Sequence, residues 1–275
     1  MNLKKELSNS THMVEAANPH KAQANMYFNQ GKINFERGNY EKCVRDLQFA
    51  ESLFSTLNSK ELAAESMFIL GHAYLNLNQK KYALKSLNEA FIKFSEIQNV
   101  EKAAECALKM GSLHRECKNI EKSKKFLDIS KDLFENIGKI EHLGDSWKEI
   151  GNTLLKDVQN PDSVQNAKLA YQKAIYLFKR AKAEEKKALA EIDLALLSLS
   201  TEDEKDALSY FLSAMSYFEH KKQDDFLVTI VMQIAKIYLK LERKKKAQEY
   251  YDKAVEIMKR NNYSPEKIEQ LKHLF

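Results

Sequence analysis

An all-α solenoid of six helix–turn–helix repeats is the fold this sequence predicts, and three columns of residues at a common 40-residue spacing predict it. Gly31, Gly71, Gly111 and Gly151 fall 40 apart, and after one 44-residue step the column continues as Ala195 and Ala235. A second column of small residues runs Ala50, Ala90, Ser130, Ala174, Ala214 and Ala254. A third, of bulky apolar residues, runs Phe54, Phe94, Phe134, Phe178, Phe218 and Met258. All three lengthen at one place, so the four extra residues lie between Gly151 and Ala174, where the stretch from Asp157 through Pro161 to Asp162 reads as a longer turn.

The repeats are set at about 18–58, 59–98, 99–138, 139–182, 183–222 and 223–260. In the second, Ala64, Met67, Leu70, Ala73, Tyr74 and Leu77 recur at three and four, which is helical spacing, and Ala83, Leu87, Ala90, Phe91 and Phe94 do the same. Only Asn78 and Gln79 part the two runs, so the helices are antiparallel neighbours. Glycine on the first helix and alanine on the second let the backbones approach, and phenylalanine fills the gap to the next repeat. With Gly 7 and Pro 3 in 275 residues, breakers are too rare for a β-rich or loop-rich fold. Residues 1–17 are polar without a sustained period and are expected to be flexible, and Asn18-Pro19 reads as the start of the first helix. Residues 261–275 are expected to form a capping helix opened by Ser264-Pro265-Glu266, with Ile268, Leu271 and Leu274 on the face that covers repeat six.

The repeat resembles the tetratricopeptide repeat (TPR) family. The residues that carry the resemblance are Gly31, Asn39, Tyr40, Leu47 and Ala50; Gly71, Tyr74, Ala83, Leu87 and Ala90; Gly151, Tyr171 and Ala174; Ala207, Phe211 and Ala214; and Tyr238, Ala247, Tyr251 and Ala254. The usual TPR period is about 34. The longer period here is more similar to the Pins and kinesin-light-chain kind, and it fits a second helix extended by a turn and a half. The resemblance, over roughly residues 20–260, implies a right-handed superhelix forming one continuous array, with the first helices lining a concave groove.

Chemistry is sparse. No GxGxxG, GxxxxGK, HExxH, CxxC or GxSxG occurs, so a non-catalytic protein without cofactor is expected. The nearest approach to a metal cluster is His114 with Cys117, joined at most by His72, short of the four ligands zinc takes, and no metal is expected. Three cysteines, Cys43, Cys106 and Cys117, an odd number, read as reduced thiols of a cytoplasmic protein. No run approaches a membrane span or a signal peptide. Residues 221–260 hold 11 Lys or Arg against 6 Asp or Glu, which accounts for the net charge of +5, since the rest of the chain balances. Nucleic acid is disfavoured, because the basic cluster Arg243–Lys246 is confined to one turn; an acidic protein surface is the partner it suits.

Carried over from the family, the groove presents Asn25, Phe28, Lys32 and Phe35; Glu65, Phe68, His72 and Asn76; Glu105, Leu108 and Arg115; and Asp145, Lys148, Asn152 and Lys156. The set lacks most of the clamp by which some TPRs grip a carboxylate. Repeat five departs from it: Leu189, Ile192, Leu196 and Leu199, continued by Met232 and Leu239, form an apolar strip, which is either core or the floor on which a partner segment docks. The function expected is a protein-interaction scaffold. The competing expectations are a structural component of a cytoskeletal or ciliary assembly and a peptide-sensing regulator of the bacterial TPR kind.

Overall fold

The computed structural model describes residues 19–157 and 162–274, with side chains through residue 269. The expected segment 1–17, Asn18, most of the lengthened turn and the side chains of Leu271 and Leu274 lie outside the described residues. The fold class is all-α: thirteen helices, and no strand, occur among the described residues. They fall into two compact units, residues 1–138 and 139–275.

The first unit contains α1 (Pro19–Glu36), α2 (Tyr40–Thr56), α3 (Lys60–Asn76), α4 (Lys80–Glu96), α5 (Val100–Glu116) and α6 (Ile120–Asn136). The second contains α7 (Ile140–Leu154), α8 (Ser163–Ala181), α9 (Glu184–Ser200), α10 (Glu204–Lys221), α11 (Asp224–Lys240), α12 (Lys244–Arg260) and α13 (Pro265–Leu274). From α2 to α6 every helix is 17 residues long. A 17-residue helix with a three-residue link, taken twice, fills the period. The length beyond a 34-residue repeat is therefore shared by both helices, not carried by the second alone.

What stops most of the helices is backbone conformation; α7 is the exception, ending at Leu155 in the right-handed region. Asn58, Asn78, Gln98 and Lys118 in the first unit, and Lys182, Glu202, Lys222, Glu242 and Asn262 in the second, all have φ between 54° and 60°. Gly38 and Gly138 occupy the same left-handed position at φ 74° and 70°. Around Asn58 the amide of Ser59 donates to the Phe54 carbonyl at 2.8 Å and that of Asn58 to the Ser55 carbonyl at 3.1 Å. This is the Schellman pattern, in which a left-handed residue returns the chain and occupies the last carbonyls of the helix. It recurs at Gln79 with Tyr74, Asn99 with Phe94 and Asn119 with His114.

The glycine column has a different partner from the one expected. A Cβ on Gly31, Gly71 or Gly111 would lie 2.6 Å from the Cγ of Leu47, Leu87 or Leu127. Leucine, not the alanine column, fills the notch. In the second unit a Cβ on Gly151 would lie 2.9 Å from Tyr171 Cε1. The aromatic column behaves as expected: Phe94 is buried among Ala64 of its own repeat and Ala103 and Cys106 of the next. Phe54 meets Phe28 edge-on at 5.8 Å, and Phe94 meets Phe68 at 6.3 Å. At the far end, Ile268 of α13 packs on the cluster of Tyr251, Ala254 and Met258.

Gly71→Ala is expected to cost about 1–3 kcal/mol through overpacking. Leu87→Ala should cost less in the Gly71→Ala chain than in the wild type in urea melts, because the two sites share one notch. Lys118→Gly should instead stabilise the protein by about 0.5–1 kcal/mol, relieving a left-handed lysine at the entropic cost of a glycine.

Candidate protein-binding clefts

First helices of successive repeats bound a cleft in each unit. In the first unit, Lys32, Phe35 and Glu36 of α1 face Glu65, Phe68, Ile69 and His72 of α3 around about 350 Å³. Five of the sequence-predicted residues come together here: Lys32, Phe35, Glu65, Phe68 and His72. Asn25 and Asn76 are exposed, and the Asn76 amide turns back to donate to the His72 carbonyl at 2.9 Å. Phe28 is a correction: only 8% exposed, it packs against Phe54 and belongs to the core.

The His72 ring stands edge-on to Phe68 at 4.6 Å, and the ammonium of Lys102 lies over the other ring at 4.8 Å while pairing with Glu105 at 3.0 Å. Burial, then Lys109 and Lys102, push the His72 pKa down to about 4, so the cleft holds a neutral imidazole at neutral pH. Leu108 and Arg115 are half-buried on α5. His114 stacks on Phe126 at 5.5 Å, and His72, His114 and Cys117 do not assemble into a metal-binding group among the described residues. Burial, aided by Asp46 at Cys43 and Glu105 at Cys106, raises both buried thiols to about 12, which makes them unreactive. Cys117 is exposed.

The larger apolar cleft is in the second unit. Leu189, Ile192, Asp193 and Leu196 of α9 face Asp225, Phe226, Thr229, Ile230 and Gln233 of α11, over Phe211 and beside Lys148, around about 430 Å³. Leu196 is 46% exposed and Phe226 50%, while Leu189, Ile192 and Leu199 are half-buried against the core of Ala195, Phe211 and Ile230. The strip is thus core along one edge and open along the other. Met232 is a second correction: it is 6% exposed among Leu227, Val231 and Tyr251, so it lines no surface. Leu239 is half-buried beside the repeat-six core.

The polar groove residues of α7 are largely engaged. Lys148 pairs with Asp193 at 3.2 Å across the cleft. Asp145 and Glu141 share Lys186 at 2.6 and 2.8 Å; burial still leaves the Asp145 pKa above its usual range, whereas the lysine lowers that of Glu141. The Asn152 side-chain Oδ1 accepts from the Tyr171 hydroxyl at 2.7 Å, and Lys156 is exposed. Phe226, Thr229 and Gln233 were missed by sequence reasoning. Thr229 stands 40 residues after Leu189, so its column marked it, but Phe226 sits in the first turn of α11, outside every column. Arg243 is the N-cap residue of α12 and Lys244, Lys245 and Lys246 form its first turn, with the Lys246 ammonium 5.5 Å from the centre of the Tyr238 ring.

The tetratricopeptide repeat family model matches residues 64–91 and 228–260, one window in each unit. Between these windows the same two-helix unit repeats, so the family match and the helical pattern agree on repeats of the tetratricopeptide type. No curated protein sequence matches it significantly. Among solved structures, BtubC (BKLC) from P. vanneervenii is 15% identical over 90% of this chain and 94% of that one, with a TM-score of 0.67. A Rap protein complexed with Competence and Sporulation Factor is 11% identical over 98% and 81%, with a TM-score of 0.57. The putative kinesin light chain repeats of Podosopora anserina are 13% identical over 73% and 97%, with a TM-score of 0.58. At these identities the likeness is one of fold.

The buried neutral His72 has a consequence for acid stability. Its pKa lies near 4 folded and 6.5 unfolded, so as pH falls through this window the unfolded chain takes up a proton that the folded one refuses. Stability should fall by about 2 kcal/mol between pH 7 and pH 4, and His72→Gln should flatten that part of the profile in denaturant melts at stepped pH.

Proposed function

We propose that this chain is a non-catalytic protein-interaction scaffold that seats an apolar side chain of a partner peptide or helix in the cleft between α9 and α11. The observation that carries the reading is the pair Leu196 and Phe226, each about half exposed on facing helices above an apolar floor. A large hydrophobic side chain buried between them would contribute about 1.5–3 kcal/mol, enough to anchor a peptide whose backbone adds further contacts. Lys148, Asp193 and Gln233 supply the polar lining of this cleft that sets specificity. The exposed lysines at the start of α12 run against the helix dipole, which disfavours cations there, and suit an acidic patch on the same partner.

A peptide-sensing regulator is the second reading. A Rap protein of this fold carries Competence and Sporulation Factor in its crystal structure, which supports a repeat array of this size holding a signalling ligand. The unreactive thiols suit a reducing cytoplasm. A role inside a cytoskeletal or ciliary assembly would draw on outer faces more than on the cleft.

Selection of a displayed random-peptide library on the purified protein is expected to return apolar-anchored clones. Leu196→Glu should weaken these about tenfold or more while circular dichroism and melting stay unchanged. Clones that bind the variant as tightly would dismiss the cleft, and a variant that fails to fold would show that the strip is core.

A further inference from the structure

The outer face of α8 breaks the pattern of the other second helices. Its buried side is formed by Ala167, Ala170, Tyr171, Ala174 and Phe178. Directly opposite, at helical spacing, lie Leu169 and Tyr176, which are 47% and 60% exposed. The corresponding positions in the other repeats hold Arg45, Lys85, Lys125, Ser209 and Glu249 for Leu169, and Ser52, Ile92, Asp132, Ser216 and Glu256 for Tyr176. Two large apolar side chains thus stand two turns apart on a line that is otherwise almost wholly polar.

Charge sets the character of what fits. The sequence of α8, SVQNAKLAYQKAIYLFKRA, contains Lys168, Lys173, Lys179 and Arg180 and no acidic residue, unlike every other helix among the described residues. Lys173 and Arg180 flank the line on one side and Lys168 and Lys179 on the other. The guanidinium of Arg180 lies over the Tyr176 ring at 5.7 Å, and the ammonium of Lys173 lies over Trp147 at 4.0 Å. Lys168 is neutralised by Asp206 and Asp203 of α10 at 2.9 and 3.5 Å.

We propose that α8 is a second docking surface, independent of the cleft, whose occupant is an acidic amphipathic helix of a partner protein. Apolar residues of that helix pack on Leu169 and Tyr176, and its flanking carboxylates meet Lys173, Lys179 and Arg180. A second copy of this chain is a poor fit, because two all-basic helices would repel. A nucleic acid leaves the two apolar side chains without a role.

Trp147 is the single tryptophan of the chain and sits beneath Lys173, so its emission reports on this face. The probe is a synthetic 18-residue helical peptide with leucines along one face and glutamates on both flanks. It is compared with a twin carrying lysines for the glutamates, and with a short DNA duplex. The acidic peptide should shift the Trp147 emission saturably, and should bind about tenfold more weakly when salt is raised well above physiological strength. It should lose at least about tenfold in affinity for the Leu169→Ser, Tyr176→Ser double variant, whose circular dichroism stays native, and none for Leu196→Glu. The proposal is overturned if the acidic peptide does not bind, if the lysine twin or the duplex binds as well, or if the double variant retains full affinity. Wild-type dimers in sedimentation that dissolve in the double variant would also overturn it, by assigning the face to a second copy.

Discussion

The constraint on which the structure depends is that each helix must stop on schedule. A left-handed residue closes a helix every 20 residues from Gly38 to Gly138 and again from Lys182 to Asn262, and the residue after it starts the next helix. In the second and third repeats both helices are 17 residues long, and there the glycine notch of the first comes level with a leucine of the second. A helix one residue longer would rotate its buried face by about 100° and lift that side chain out of its notch. The turns are held mainly by backbone hydrogen bonds, which explains why they tolerate lysine, glutamine and glutamate where glycine would be less strained.

This also explains what could be read in the sequence. The glycine, small-residue and phenylalanine columns were legible because their positions demand a particular size, and size is written in residue type. The left-handed links were not legible: Gly38, Asn58, Asn78, Gln98 and Lys118 share a backbone conformation and no side-chain property. Nor was the leucine opposite the glycine, since a column of small residues shows only that something large fills the space. At the candidate site, Leu189, Ile192 and Leu196 were found from their run of apolar residues. Met232 was misplaced because its column is half-open on α9 but closed on α11, where Leu227, Val231 and Tyr251 surround it. Phe226 escaped because no repeating position predicts an aromatic in a first turn, although its ring stacks on Phe218 at 5.0 Å.

The same contrast separates the two clefts. Around His72 the lining mixes aromatic rings with lysines and glutamates, and the ion pair between Lys102 and Glu105 rests against the Phe68 ring. Filling that cleft means desolvating several charges, which offsets much of the apolar gain. In the second unit the cleft is lined by as many charges, but they are spread over a longer apolar wall, and Lys148 already pairs with Asp193. An apolar group entering beside Leu196 displaces water from hydrocarbon more than from charge, so equal area yields more affinity there.

A repeat protein therefore separates stability from function more cleanly than a globular enzyme does. Column positions are held by packing that every unit must satisfy, and substitution there changes folding first. Positions outside the columns carry no such burden. Leu196, Leu169 and Tyr176 depart from the polar residues most of their neighbours use, and Phe226 combines a half-exposed ring with stacking on the buried Phe218 at 5.0 Å. Each leaves about half of a hydrophobic side chain in water, a standing cost that burial against a partner removes. The places where this chain breaks its own repeat without improving its core are the places where partner binding should be sought.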